Sequence, residues 1–516
     1  MDSRKTPAIG IDLGTTYSVV ARLDETGRPV SLVNAEGDLL TPSVVLVEGE
    51  GAIVGKEAVK ALGSEPEHVA QCAKREVGND LFHQPLAGRN YPPEVLEAWI
   101  LKKLHDDAAL QVGPFRQVVI TVPAYFDEVR RKATQDAGYM AGLELLDIIN
   151  EPTAAAVAFG YQQGFFRPNA SSREKQNILV YDLGGGTFDV TVMQLAGGTF
   201  TALATDGDVQ LGGRDWDQRL VNFAAAEFQQ RHGTDPRHDS VAAARLWREC
   251  EDLKRTLSAR PRGLLTYEFQ GLPLQLEITR EQFADLTHDL LERTRFTTVQ
   301  ALAAAKLTWS DIQRVLLVGG STRMPMVVDL LRQLSGREPD RSVSADEAVA
   351  HGAALHAGIL LAKSAGKRPK FTVRNVNSHS LGVVANDPAT QRERNAIVIP
   401  RNSPLPIAAR RRFKTSKTGQ NSILVRIVEG ESASPDACTP IGRCVVRELP
   451  ADLAAGTPIE VAFRYEANGR LTITVKVSGT DRKLTHELTR ASGLGDAERN
   501  AWRRRIAGDD IAADEL

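Results

Sequence analysis

Long apolar runs are missing from this chain. No stretch of its 516 residues approaches the roughly 18 uninterrupted apolar residues of a membrane helix, which argues against a membrane span. The first apolar stretch, within MDSRKTPAIGIDLGTT, is broken by Asp12 and is far too short for the core of a secretory leader. A cytoplasmic location without a membrane partner is the expectation. Cysteine is also scarce. Cys72, Cys250, Cys438 and Cys444 form no CxxC pair, so a disulfide framework is excluded and a reducing compartment is expected. Cys438 and Cys444 stay open to a local bridge or a metal, although no histidine or further cysteine nearby completes a ligand set. Charge of one sign is not in excess. The formal net charge of -2 gives no whole-chain attraction to nucleic acid. Neither a GxxxxGK[ST] loop nor a strand-linked GxGxxG turn occurs, which excludes the two commonest nucleotide-binding loops.

What is present is an ordinary globular composition, 42% hydrophobic and 25% charged. The length allows about two to four domains. Strand-like and helix-like segments alternate up to about residue 362, which predicts α/β architecture. Strands are expected at Ile9–Asp12, Val118–Val122, Ile178–Asp182 and Val315–Val318, and helices at Glu94–Leu110, Glu128–Ala141, Ala242–Leu257 and Met324–Leu334. The basic, Gly/Pro-punctuated SAGKRPK from Ser364 reads as a linker. Beyond it come short alternating runs: SILVRIV from Ser422, IEVAFRY from Ile459 and LTITVKV from Leu471, the last two flanking Asn468-Gly469, a strong hairpin signal. The expected division is therefore 1–363, a linker over 364–377, an all-β sandwich over 378–488, and a charged tail over 489–516 able to start one helix.

The chain echoes itself. IGIDLGTTYSVV from Ile9 and LVYDLGGGTFDVTV from Leu179 each run apolar strand, Asp-Leu-Gly, Gly/Thr turn, alternating strand. VITVPAYFDEVRRKA from Val119 and VLLVGGSTRMPMVVDLL from Val315 form a weaker pair. A duplicated lobe with a cleft between the copies explains both. Phosphate needs backbone N–H donors at close range, and glycine leaves them exposed. Gly14, Thr15 and Thr16 meet that need in one turn, and Gly184, Gly185, Gly186 and Thr187 in the other. Asp12 and Asp182 end the entering strands, and two facing carboxylates suit hydrated magnesium. One such turn alone would be an ordinary hairpin. Two matched copies, each with its Asp, favour phosphate.

IDLGTT, VPAYF, NEPTAAA, DLGGGTFDV, LGG with RDWD, VGGSTRMP and DEAVAHGAA occur in that order. Together they resemble the 70-kilodalton heat-shock chaperones of the DnaK type, strongly over about 8–360 and more loosely over 378–490. The resemblance implies an actin-like two-lobed ATPase domain followed by a β-sandwich peptide-binding domain. It implies ATP and ADP as ligands, with Mg2+ and a potassium-type counterion. Glu251, Lys254, Arg255 and Ser258 match the helix that holds adenosine, and their spacing puts them on one helix face. Taken singly, such charges are more often a solvated, ion-paired face. Gly319, Gly320, Ser321 and Arg323 match the facing turn, with the Arg323 guanidinium placed to stack on adenine. Tyr17, Gly212, Gly213 and Asp346 match further nucleotide positions. For hydrolysis the resemblance assigns Lys74 to the γ-phosphate and the attacking water. Glu151 is assigned to water on magnesium or in attack, Thr187 to the γ-phosphate, and Asp189 to a held water, with Asp182 between metal and chemistry. Thr15 and Thr16 are assigned to phosphate and counterion. The metal set is Asp12, Glu151 and Asp182, mostly through water. Glu151 also reads simply as an acid at a helix N-terminus.

An extended apolar or unfolded polypeptide is the implied partner, lying in a channel at Leu381, Val383, Ala385, Phe413, Ile423 and Val425. The same alternation is equally that of a sandwich core. A J-domain co-chaperone and a nucleotide-exchange factor are the implied helpers.

Four departures from the family pattern stand out. The leucine-rich linker run is replaced by KFTVRN with Arg374 and Asn375, so weaker linker docking is expected, about 1.5–3 kcal/mol per lost apolar side chain. Asp147 stands where bacterial members carry a basic docking residue, which reverses local steering. The stretch from Lys74 to Pro93 is short, and too few residues follow Leu488 for a helical lid. Fast peptide release follows. An ATP-hydrolysing chaperone is the leading expectation. A nucleotide-switched assembly protein with little turnover and a small-molecule kinase are the alternatives.

Overall fold

The apolar strand Ile9–Asp12 pairs antiparallel with Tyr17–Leu23 and parallel with Gln117–Val122. Its sheet runs Pro29–Leu32, Tyr17–Leu23, Ile9–Asp12, Gln117–Val122, Glu144–Asn150. The second copy repeats the plan: Gln176–Leu183 pairs antiparallel with Phe188–Ala196 and parallel with Arg314–Val318. A parallel bridge from Leu316 to Asp340 marks the place of a fifth strand. The internal echo is thus two copies of one sheet. The computed structural model describes residues 7–166, 175–387, 390–466, 471–480, 483–487 and 493–508.

Two alanine-rich helices, Glu151–Gln162 and Ala348–Ser364, pack at the centre of the molecule. Their small residues allow the backbones to touch: a Cβ on Gly352 would lie 1.8 Å from the Ala154 carbonyl oxygen. Likewise a Cβ on Gly10 would lie 2.2 Å from Ala354 N. Asp12 and Asp182 end central strands on the same side as their parallel neighbours. Ligands of open α/β sheets bind at that carboxyl edge.

The β region packs two four-stranded sheets. One runs Glu393–Ile399, Leu381–Asn386, Ile423–Glu429, Thr439–Val446, and the other Ile407–Lys414, Pro458–Tyr465, Leu471–Val477, Lys483–Glu487. The hairpin expected around Asn468-Gly469 appears as the antiparallel pair Tyr465↔Leu471, while the turn itself lies outside the described residues.

The linker differs from expectation. Its beginning, Ser364, still belongs to a helix, and Thr372–Arg374 forms a parallel strand on Thr199–Asp208. Arg374 is exposed, so it forfeits no burial. Phe371 supplies the anchor instead: it is 4% exposed and stacks on Phe166 with centroids 4.4 Å apart and planes 10° apart. The tail carries its helix, Asp496–Ala507, and that helix docks on the first lobe. Trp502 lies 5.9 Å from the Tyr91 ring and 6.1 Å from that of Trp99, and Arg499 pairs with buried Asp136.

Candidate functional site

The two Asp-Leu-Gly hairpins clasp each other. A Cβ on Gly185 would sit 2.0 Å from Thr16 Oγ1, and one on Gly186 would sit 2.4 Å from Thr15 Cγ2. Only glycine permits that approach at positions 185 and 186, whereas a Cβ on Gly184 would meet nothing nearer than the Thr187 carbonyl oxygen at 3.6 Å. Gly14 is equally constrained, since a Cβ there would meet the Tyr17 carbonyl at 2.0 Å. Gly212 backs the clasp, its added Cβ falling 2.5 Å from Gly186 N, and Gly319, at φ +82°, approaches Leu183 and Asp182.

A cavity of about 720 Å³ opens beside the clasp. Asp12, Gly14, Thr15, Thr16, Tyr17, Lys74, Glu151, Asp182, Gly184, Gly185 and Thr187 line one part of it. Glu251, Lys254, Arg255, Ser258, Gly319, Gly320, Ser321, Arg323 and Asp346 line another. Gly186, Asp189, Gly212 and Gly213 stand behind the wall rather than on it. Residues scattered over more than 300 positions in sequence therefore converge on one space.

Lys74 is 5% exposed, and its Nζ donates to the Leu13 carbonyl and to Glu151 Oε1, each at 2.5 Å. Asp12 Oδ1 accepts from Thr121 Oγ1 at 3.1 Å, and Asp189 Oδ1 from Tyr125 N at 2.9 Å. Burial, reinforced by the Glu151 charge, pushes Asp12 up to about 7 and Asp189 up to about 8. The same two causes raise Asp182 well above the carboxylate range. This part of the cavity is thus a crowded set of desolvated carboxyls with one buried ammonium.

The far wall is pre-organised. Lys254 Nζ donates to the Gly213 carbonyl at 3.0 Å and Asp217 Oδ2 at 2.7 Å, and Ser321 Oγ to the Gly184 carbonyl at 2.9 Å. Arg255 donates to Glu251 at 2.5 Å and to the Tyr17 hydroxyl at 3.3 Å. The helix face is therefore ion-paired and cavity-lining at once. Arg323, expected over an adenine ring, is exposed and paired with Asp346.

Elsewhere, Asp147 is not free of partners, since His356 Nε2 lies 2.8 Å from its Oδ2. Leu381, Val383, Ile423 and Val425 are buried in the sandwich core, and Ala385 and Phe413 are half-buried. Sequence reasoning missed Glu97. It is 1% exposed, neither carboxyl oxygen has a hydrogen-bond partner, and burial, opposed by Lys74, pushes it up to about 8. The one local signal was an acid amid the apolar run VLEAWIL.

Two duplicated lobes whose Asp-Leu-Gly hairpins clasp beside a shared cavity define a nucleotide-binding ATPase, here joined to a β-sandwich. The chain matches the Hsp70 protein family profile over residues 8–87 and 81–507, and it belongs to that family. It is 38% identical over 497 residues to the chaperone protein DnaK of Metamycoplasma hominis, covering 95% of this chain and 80% of that one. It is 37% identical over 507 residues to the DnaK of Thermotoga neapolitana, covering 96% and 83%. The chain is an ATP-dependent chaperone of the DnaK type, an ATPase that binds nucleotide and unfolded polypeptide. No helix among the described residues is long and apolar enough to cross a membrane.

Proposed function

We propose that ATP lies in this cavity with its phosphates under the clasped hairpins and its adenosine between the helix Ser240–Ala259 and the turn Gly319–Arg323. The observation that carries the reading is the mutual approach of Gly185 with Thr16 and Gly186 with Thr15. That approach brings the two turns face to face at one end of the cavity. Glu251, Lys254, Arg255 and Ser258 take the ribose and base, and Thr15, Thr16, Tyr17 and Thr187 take phosphate oxygens.

The donor set fits magnesium held mostly through water. Burial and the neighbouring Glu151 carboxylate raise the proton affinity of Asp12 and Asp182, and a hydrated divalent cation relieves that repulsion. When bound, it supplies charge neutralisation at the phosphates. A potassium-type counterion beside Thr15 and Thr16 belongs to the same reading. Lys74 holds the γ-phosphate and orients water, and Glu151 fixes Lys74. Asp189, anchored by the Tyr125 amide, holds a water rather than touching phosphate.

The polypeptide contact falls on the β-sandwich. Ala385 and Phe413 are its accessible members; Leu381, Val383, Ile423 and Val425 become reachable when the strands part. A J-domain partner and an exchange factor complete the cycle in a cytoplasmic setting, and the Asp147–His356 pair alters the surface a J-domain meets. The decisive experiment is ATP turnover with and without a library of unfolded peptides, beside calorimetric ATP affinity. Absence of both ATP binding and phosphate release sinks the reading.

A further inference from the structure

The nucleotide domain and the β-sandwich meet at the start of the helix Glu128–Met140, and the chemistry there is unusual. Two glutamates face each other across the boundary. The Glu128 backbone N–H donates to Glu429 Oε2 at 2.9 Å, and the Tyr465 hydroxyl donates to the Glu128 carboxylate. Glu429 is 5% exposed. Asp127 adds a third carboxylate, turned toward Arg130. The nearest guanidinium, Arg131, bonds the Phe126 and Ala124 carbonyls and Asn150, at 3.2, 3.4 and 2.6 Å, and acts on Glu128 only from a distance. Two carboxylates withdrawn from water without a bonded cation do not both stay ionised.

His379, on the sandwich side, completes the cluster. Its Nε2 lies 3.0 Å from the Tyr125 carbonyl, an acceptor only, so this nitrogen carries a proton. Its Nδ1 lies 3.9 Å from Glu431 Oε2, which favours a second proton. The ring packs on Tyr125 with centroids 4.2 Å apart. Arg401, paired with Asp206 at 2.8 Å, closes the far side of the boundary.

We propose that this contact is a proton-operated latch: docking the two domains traps a proton on the Glu128–Glu429 pair beside His379, and separation releases it to solvent. The surroundings support it. Burial, opposed by His379 and reinforced by Glu128, pushes Glu429 up to about 8. Burial draws His379 down, but Glu431, Glu429 and the Tyr125 carbonyl outweigh it and hold it at about 9. Burial raises Glu128 as well. Apart, the two glutamates face water and return toward their ordinary 4.5, while His379 keeps Glu431 and Glu429 of its own domain beside it. The docked form therefore binds more protons, so docking weakens as pH rises. The trapped proton changes the docking constant by about tenfold per pH unit inside its window. Acidification would close the latch without any change of nucleotide.

Small-angle X-ray scattering of the nucleotide-free full chain tests this from pH ~6 to ~9, with circular dichroism alongside. The radius of gyration is expected to grow with pH while the helix signal stays constant. Glu429→Gln keeps a neutral partner for the Glu128 amide and is expected to stay compact to higher pH. Glu128→Gln, an independent second variant should the first not fold, is expected to do the same. Glu128→Gln combined with Glu429→Gln should abolish the remaining slope. A radius independent of pH in the unaltered chain overturns the latch. So does expansion accompanied by loss of helix, or expansion of either glutamine variant at the original midpoint.

Discussion

Lys74 Nζ lies 2.5 Å from Glu151 Oε1 and equally close to the Leu13 carbonyl, which leads into the first hairpin. One ammonium thus ties a loop of the first lobe to the start of the central helix. Lys74→Ala removes that tie and leaves Glu151, 8% exposed, without its cation. Single-turnover hydrolysis is expected to fall by about 10²–10³-fold. Calorimetric ATP affinity should change far less. Unchanged hydrolysis would remove Lys74 from the chemistry.

The clasp predicts opposite fates for two kinds of glycine. Gly185→Ala places a methyl 2.0 Å from Thr16 Oγ1, whereas Gly51→Ala, away from the cavity, meets nothing nearer than the Glu48 carbonyl oxygen at 3.9 Å. The first should pry the hairpins apart and weaken ATP binding by about 1–3 kcal/mol. The second should bind ATP nearly as the unaltered chain does. Equal affinity for both variants would mean that the hairpins do not hold the phosphates as a pair.

Phe371 carries linker docking in place of a leucine run. Phe371→Ala leaves a hole between Phe166 and Phe200, whose rings lie 4.4 and 5.7 Å from it. Docking should weaken by about 3–5 kcal/mol. Amide exchange of Thr372–Arg374 reports this directly, since their strand pairing protects them. Retained protection would show that the strand pairing suffices without the aromatic.

Proton release should accompany ligand binding. Asp12 and Asp189 stand at about 7 and about 8 against an ordinary 3.8. The folded ligand-free chain therefore holds more protons than the unfolded chain between those limits. The sign follows: their contribution to stability is complete below 3.8 and is lost as pH rises through about 8. Magnesium nucleotide favours the ionised carboxylates and expels the protons. Calorimetry at pH ~7 in two buffers of different ionisation enthalpy should give different heats. Identical heats would refute the release.

Much of the nucleotide site was legible in the chain. Asp12 and Asp182, with their glycine turns, announce themselves because a strand end and a tight turn are local backbone features. The Glu251–Ser258 face is legible for the same reason, as a 3.6-residue period survives in sequence. Glu97 was not legible, because one acid within an apolar helix looks like any surface position until its burial is seen. Asp147 was legible as an inverted charge, but its hydrogen-bonding partner His356 comes from a helix more than 200 positions away. Phe371 was hidden behind the expectation that docking required leucine.

By itself, the sequence determined the duplicated α/β plan, the two phosphate turns and the alternating strands of the sandwich. Each is set by short-range periodicity and by residues that only particular backbone shapes tolerate. Tertiary structure alone decided which carboxyls keep a proton, where the tail helix docks, how the linker is anchored, and that Glu128 meets Glu429. Those outcomes depend on desolvation and on partners distant along the chain, and neither leaves a periodic mark in the order of the residues.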